Sequence, residues 1–186
     1  MKYIFSLALA SLSLLSACGG GGSDAPDLSA NPVVVTTSGQ TLDITRADSY
    51  ALEITSSNNH VTIGANSKLS SVRLGGTGNN LAIGAGTTVQ SFEDTGANNI
   101  VNLSTNVKIP SYRIQGANSI LTIAAGDRID QLTIQGSNAN VNIADASAVV
   151  PSISLSGSNN VISIPHGYRS QITVTNSGAN NSVTER

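Results

Sequence analysis

The chain has little of what many stabilising and binding devices require. Its 186 residues include one cysteine, no tryptophan, four Tyr and two Phe, and charged residues make up only 11%. A single cysteine excludes an internal disulfide, so the fold must be held by other means. The few aromatic side chains leave little surface for stacking bases or sugars. A formal net charge of −2 also lacks the basic excess that nucleic-acid binding requires, so no nucleic-acid partner is predicted.

The first eighteen residues have the parts of an export signal. Lys2 precedes an apolar stretch from Tyr3 to Leu15, which is too short to span a bilayer as a helix of ~20 residues. The stretch ends in Leu15-Ser16-Ala17-Cys18, which resembles the lipobox of bacterial lipoproteins. The resemblance implies cleavage after residue 17, lipidation of Cys18 and attachment to a membrane through that lipid. Gly19, in place of an Asp, favours the outer membrane; an ordinary secretion signal with a chance cysteine is the alternative.

Composition divides the chain into three segments. Residues 1–17 are the expected signal peptide, and residues 18–32 are the lipidated cysteine and a flexible tether rich in Gly, Ser and Pro. Residues 33–184 are long enough for one domain. Removing residues 1–17 would leave eight basic and eleven acidic side chains, a formal net charge of −3.

Apolar residues return every twenty positions along this domain. A fixed period of this size is typical of a solenoid, in which each repeat is one coil. The four ranks are Leu52, Val72, Phe92, Tyr112 and Leu132; Val61, Leu81, Val101, Leu121 and Val141; Ile63, Ile83, Leu103, Ile123 and Ile143; and Leu69, Val89, Ile109 and Ile129. Short runs that alternate inward and outward residues predict strands. We therefore predict an all-β fold, a single-stranded right-handed parallel β-helix of about eight coils of ~20 residues.

One turn of each repeat is rich in Gly and Asn. Glycines recur at one site, where we expect a positive φ, and asparagines recur two and three residues later. Stacked amides at these positions would hydrogen-bond along the solenoid axis; the alternative is that they bind sugar. These residues are Gly76, Gly96, Gly116, Gly136 and Gly157; Asn98, Asn118, Asn138 and Asn159; and Asn59, Asn79, Asn99 and Asn160.

Residues twenty apart should be neighbours on the surface. Glu53, Arg73, Glu93 and Arg113 then alternate in sign along one outward file, which favours register stabilisation over a recognition stripe. A second file, Lys68, Thr88, Lys108 and Arg128, is basic. It is a candidate surface for lipopolysaccharide or an acidic glycan, with solvated turn charges as the alternative.

Asp94 breaks the pattern of its own file. The equivalent residues of other repeats are aliphatic and inward, and a buried carboxylate is costly unless it is paired or protonated. We expect a local bulge to turn Asp94 outward. The alternative is a binding site that opens near Phe92–Thr95.

The coil architecture resembles that of pectate lyases and polygalacturonases, which use clustered acidic residues with a nearby Arg or Lys. Here the acidic residues are scattered, and Asp127 and Asp130 beside Arg128 do not make such a cluster. His60 and His166 fall on coils ~24 Å apart, too far to share a metal. The sequence therefore predicts no catalytic residue, metal site or cofactor.

Two Asn/Gly-rich phrases, Gly96 to Leu103 and Gly157 to Ile164, carry a further resemblance. They resemble a family of bacterial envelope proteins of unknown function built of β-helix coils. The resemblance implies a fold and a compartment, and no activity. We expect a non-catalytic envelope lipoprotein that presents a rigid β-helix to a glycan or protein. The alternatives are a minimal polysaccharide-degrading enzyme and a structural subunit that associates end to end.

Overall fold

A computed structural model describes residues 31–186. The expected signal peptide, Cys18 and almost the whole tether therefore lie outside the described residues. The strands and the single short 3₁₀-helix, η1, follow in chain order. They are β1 (Val33–Val35), β2 (Thr41–Ile44), β3 (Tyr50–Ile54), β4 (His60–Ile63), β5 (Lys68–Leu74), β6 (Asn80–Ile83), β7 (Thr88–Val89), β8 (Ser91–Asp94), β9 (Ile100–Leu103), β10 (Lys108–Ile114), β11 (Ile120–Ile123), β12 (Arg128–Ile134), β13 (Asn140–Ile143), β14 (Ser152–Leu155), β15 (Val161–Ile164), η1 (Tyr168–Gln171), β16 (Thr173–Asn176) and β17 (Ser182–Glu185).

The strands stack into two parallel sheets. The first sheet has the order β1-β3-β5-β7-β10-β12-β14-β16, with β8 between β5 and β10, and the second has the order β17-β15-β13-β11-β9-β6-β4-β2. The register steps by 19 residues where Val33 pairs with Leu52, by 20 where Leu121 pairs with Val141, and by 21 where Ile162 pairs with Val183. The predicted solenoid of about eight coils of ~20 residues is confirmed.

The inward ranks form one continuous core. All the members of the four ranks are buried, as their two-residue alternation within each strand predicts. Phe92 and Tyr112 stack with ring centroids 4.2 Å apart and planes 7° apart. A rigid coil stack places each apolar side chain between the equivalent residues above and below, and that stacking buries what a lone coil would leave in water.

A tyrosine closes each end of the fourth rank. Tyr50 pairs in register with Leu69 at one end, and the guanidinium of Arg46 lies 5.2 Å from its ring centroid. At the other end, η1 buries Tyr168. The Tyr168 hydroxyl donates to the Ala148 carbonyl at 2.8 Å and accepts from the Val150 N–H at 3.0 Å. Both large side chains are buried and belong to the core.

The first corner, which joins a strand of the first sheet to the next strand of the second, is the Gly/Asn turn. The asparagine part of the prediction is confirmed: Asn98, Asn118, Asn138 and Asn159 have φ between 54° and 57°. Asn118 Nδ2 donates to Asn98 Oδ1 at 3.0 Å, and Asn138 Nδ2 donates to Asn118 Oδ1 at 3.1 Å. These bonds form the expected ladder along the axis.

The expected reason for glycine at this corner is wrong. Only Gly76 in the file has a positive φ, of 66°. The other glycines are required because the chain passes directly over the carbonyl of the coil before. A Cβ on Gly116 would lie 1.5 Å from the Gly96 oxygen, and one on Gly136 would lie 1.8 Å from the Gly116 oxygen. Close backbone approach, and not backbone conformation, fixes the residue type.

The second corner, which leads from the second sheet back to the first, follows a different rule. Asn66, Gly86, Asn106 and Gly126 occupy one left-handed position with φ between 58° and 71°. The Asn side chain of one coil fills the space above it, since a Cβ on Gly86 would lie 2.5 Å from Asn66 Oδ1. Asparagine and glycine therefore alternate from coil to coil.

Candidate functional site

The basic file forms as predicted at the start of the first-sheet strands. Lys68 pairs in register with Thr88, Thr88 with Lys108, and Lys108 with Arg128. Arg128 Nε lies 2.6 Å from Asp130 Oδ1, an ion pair whose alignment does not meet hydrogen-bond geometry. Within residues 31–186, neither lysine has a carboxylate in ion-pair range. The file therefore presents two free ammonium groups and one neutralised guanidinium.

The alternating file also forms as predicted on the outer face of the first sheet. Arg73 lies between Glu53 and Glu93 in register, with N–O distances of 4.0 Å and 3.5 Å. Arg113 pairs in register with Glu93 but has no carboxylate within 4.0 Å among the described residues. These half-exposed contacts are worth a few tenths of a kcal/mol each, so they support register more than stability.

Asp94 points into the core, and the expected bulge is wrong. It pairs in regular register with Leu74 on one side and Ile114 on the other, and only 1% of its surface is exposed. Its Oδ1 accepts the Asn99 side-chain amide at 2.9 Å and the Gly96 N–H at 3.2 Å. Two donors on one oxygen hold the side chain across the mouth of the first corner.

Burial raises the pKa of Asp94, and hydrogen bonds from Ser119, Asn99 and the Gly96 N–H oppose the rise. Burial, and secondarily the nearby Asp94 carboxylate, also raises the pKa of Tyr112 well above its ordinary value. The phenol is therefore neutral. The inward residues Phe92 and Asp94 are buried in the packed core, which leaves no opening between them for the site that the sequence offered as an alternative.

The last coil repeats the Asp94 arrangement with an amide. Asn176 occupies the same file, and its Oδ1 accepts the Asn181 side-chain amide at 3.0 Å and the Gly178 N–H at 3.1 Å. Both segments read Asp or Asn, then Gly two residues on and Asn five residues on. Asn176 is exposed whereas Asp94 is buried, but its neutral amide oxygen makes the same two bonds, so the bonds themselves need an acceptor and not a charge.

Asp127 is a second buried carboxylate, which sequence reasoning placed only near a corner. It is fully buried; Oδ1 accepts the Val107 N–H at 2.8 Å and Oδ2 accepts the Ala124 N–H at 2.6 Å. Burial raises its pKa to about 6 against the opposing effect of those two bonds. A signal was present, because Asp127 lies twenty residues after Val107, an apolar residue that is buried in the coil before. Each oxygen holds a different coil of the second corner.

The two histidines do not meet. His60 begins β4, and His166 precedes η1 with its Nδ1 3.5 Å from Glu185 Oε2. The described part of the chain contains no group of three or more His, Cys, Asp or Glu side chains placed to hold a metal. Both buried carboxylates are instead engaged by corner N–H groups or amides.

The outer face of the second sheet has no charged residues over most of its length. From His60 to Thr184 its two outward files contain no Asp, Glu, Lys or Arg. The first corner beside it is also uncharged, and a shallow groove of about 500 Å³ crosses Gln115, Gln135 and Gly136 there. The charges of the middle coils lie instead on the first sheet and at the bend that precedes it. The rod therefore has a charged side and an uncharged side, which the sequence alone did not reveal.

No protein-family model matches this chain, and comparisons with curated proteins and with solved structures find no match either. The resemblance to the Asn/Gly-rich envelope proteins therefore stays a prediction. Among residues 31–186, no helix has the length and hydropathy of a membrane span.

Proposed function

We propose that this protein is a non-catalytic envelope lipoprotein that presents a rigid β-helix to a glycan or a protein partner. The lipobox-like Leu15-Ser16-Ala17-Cys18 supports attachment to the outer membrane through a lipid on Cys18. The tether of residues 18–32 would hold the rod away from the membrane surface. Eight coils at ~4.8 Å spacing give a rod of ~34 Å.

The observation that carries the proposal is how the carboxylates are used. Asp94 and Asp127, the two buried acids, accept hydrogen bonds that fix the two corners. Three partly buried acids lie beside arginines: Glu53 and Glu93 on either side of Arg73 in one file, and Asp130 beside Arg128. An acid fixed by corner donors or paired to a cation on a regular surface contributes to structure, whereas general acid/base chemistry needs acids that face a substrate.

The anchor is tested by labelling with radioactive palmitate and by membrane fractionation of the full chain. Wild type should incorporate label and sediment with outer membranes. Cys18→Ser should lose the label and leave that fraction, while the matched change Ser13→Ala should behave as wild type. Retention of Cys18→Ser in the outer membrane would contradict the lipid anchor.

The absence of catalysis is tested on polygalacturonate, alginate and peptidoglycan fragments. No turnover is expected from the wild-type protein. Turnover that disappears in Asp94→Asn or Asp127→Asn would overturn the proposal in favour of a minimal polysaccharide-degrading enzyme. Sedimentation of the same preparation tests the end-to-end subunit, which would run as a concentration-dependent series of oligomers.

A further inference from the structure

We propose that the uncharged outer face of the second sheet is a binding face for a neutral polysaccharide chain that lies along the solenoid axis. This inference rests on the proposed function, and it assigns the contact to one side of the rod and to an uncharged ligand. The binding face is defined as the two outward files between His60 and Thr184.

The chemistry of the two files supports a sugar ligand. One file carries the aliphatic side chains of Ile100, Ile120 and Val161, and Ile120 and Val161 are 41% and 38% exposed. The other file carries small polar side chains, including Asn102 and Thr122. A pyranose ring has an apolar C–H face and a rim of hydroxyl groups. The first file also contains His60, Asn80, Asn140 and Ser182. The face therefore offers three aliphatic side chains among amides and hydroxyls, which are complementary to both parts of the sugar.

The geometry of the face supports a chain rather than a single sugar. Its seven strands present equivalent side chains every ~4.8 Å along the axis, and the two files lie ~7 Å apart along each strand. Parallel registry keeps both rows straight, as between Ile100 and Ile120 and between Asn102 and Thr122. An extended polymer can contact successive coils in the same way, so that weak contacts accumulate along its length.

Charge and area decide between occupants. An acidic glycan would be drawn to Lys68 and Lys108 at the start of the first-sheet strands, because the two files of the binding face contain no Lys or Arg. Its seven strands span six spacings, so the face is a strip of ~29 Å by ~10 Å, narrow compared with the ~800 Å² of accessible surface that each partner of a stable protein–protein interface buries. A neutral, narrow, extended ligand fits both limits.

The experiment compares two threonines that are chemically matched. Thr122 lies in the middle of the binding face and Thr133 in the outward file of the first sheet, and both are half-buried strand residues. Thr122→Lys and Thr133→Lys make the same change in charge and size. The full chain in detergent is titrated with laminarin, a soluble neutral β-glucan, with xyloglucan, and with polygalacturonate as the acidic probe.

Wild type should bind at least one neutral polysaccharide more tightly than polygalacturonate. Thr122→Lys should weaken that binding at least tenfold, and Thr133→Lys should change it less than twofold. Equal effects of the two changes, preference for polygalacturonate, or no binding of either neutral probe would overturn the inference. The proposed function fails on other readouts, namely loss of the lipid anchor or turnover of a glycan, so the two failures are distinguishable.

Discussion

Both corners of the solenoid turn the chain between its two sheets, but they do so under different steric constraints. At the first corner, successive coils pass so close that a Cβ on Gly116 would lie 1.5 Å from a backbone oxygen. At the second corner, the close contact of a Cβ on Gly126 would be with the side chain of Asn106, whose oxygen lies 2.3 Å away and can move. The first corner therefore repeats glycine in every coil from Gly76 onward, and the second alternates glycine with asparagine.

Each corner also holds one buried carboxylate, in a different way. Asp94 uses one oxygen for both of its donors, and Asn176 shows that an amide can replace it. Asp127 uses both oxygens, each on a separate backbone N–H. The comparison teaches that a polar group inside the solenoid is tolerated where the corner supplies donors, and that the number of oxygens used decides what may replace it.

The largest expected effect is the difference in stability between alanine substitutions at Gly116 and at Gly126. Gly116→Ala should lower the free energy of unfolding by about 4 kcal/mol or prevent folding, because the oxygen it would meet belongs to the backbone of the neighbouring corner and cannot rotate away as a side chain can. Gly126→Ala should cost about 1 kcal/mol, mainly for its positive φ of 71°. Urea unfolding of both variants measures the difference. Equal losses would show that the first corner can open.

Replacing each buried carboxylate by an amide should change the free energy of unfolding by different amounts at the two corners. Asp127→Asn should cost about 2–3 kcal/mol, because an amide nitrogen cannot accept the backbone N–H it would face. Asp94→Asn should stay within about 1 kcal/mol of wild type, as the Asn176 arrangement indicates. Chemical denaturation near pH 7 tests both, and a larger loss for Asp94→Asn would reverse the comparison.

The second corner should also confer a pH dependence. The folded-state pKa of Asp127, about 6, lies above that of an unfolded Asp, so the folded state binds more protons between about pH 4 and pH 6. The free energy of unfolding should therefore fall as pH rises through that window, by at most roughly 3 kcal/mol. Asp127→Ser introduces the residue found at the equivalent position of another coil, Ser67. It should flatten the dependence of the free energy of unfolding on pH, as measured by urea titrations. A rise in stability across the window would contradict the assignment.

The smallest expected effect is a gain at the first corner. Asp94→Leu replaces a buried carboxylate by the side chain found at Leu74 and Leu155, and should raise stability by about 1 kcal/mol and with it the melting temperature. The Asn99 amide can then donate to corner carbonyls, as Asn79 does to the Ser56 and Gly75 oxygens. The control Ile114→Asp places a carboxylate at a position of the same file that an aliphatic side chain occupies, and it should be strongly destabilising. A lower melting temperature for Asp94→Leu would show that Asn99 depends on its carboxylate.

Much of the fold could be predicted from the sequence, because inward residues of a solenoid must recur at the coil length. Leu121 and Ile123 alternate with outward neighbours, and their equivalents twenty residues away are apolar too. The outward files of Glu53 and Lys68 follow from the same period. The candidate site was harder to predict from the sequence, because the uncharged side is a property of two files and one corner taken together.

The sequence by itself determined the period, the coil number and the residues that face the core, since these depend on side-chain polarity and alternation within each strand. Only the tertiary structure decided that Gly116 is required by a neighbouring carbonyl, that Asp94 stays inward, and that Asp127 joins two coils. The physical reason is that each feature depends on packing between coils. Gly116 meets the carbonyl of Gly96, Asp127 binds the N–H of Val107, and Asp94 lies between Leu74 and Ile114 of the neighbouring coils. A local pattern does not show which atoms the stacking brings together.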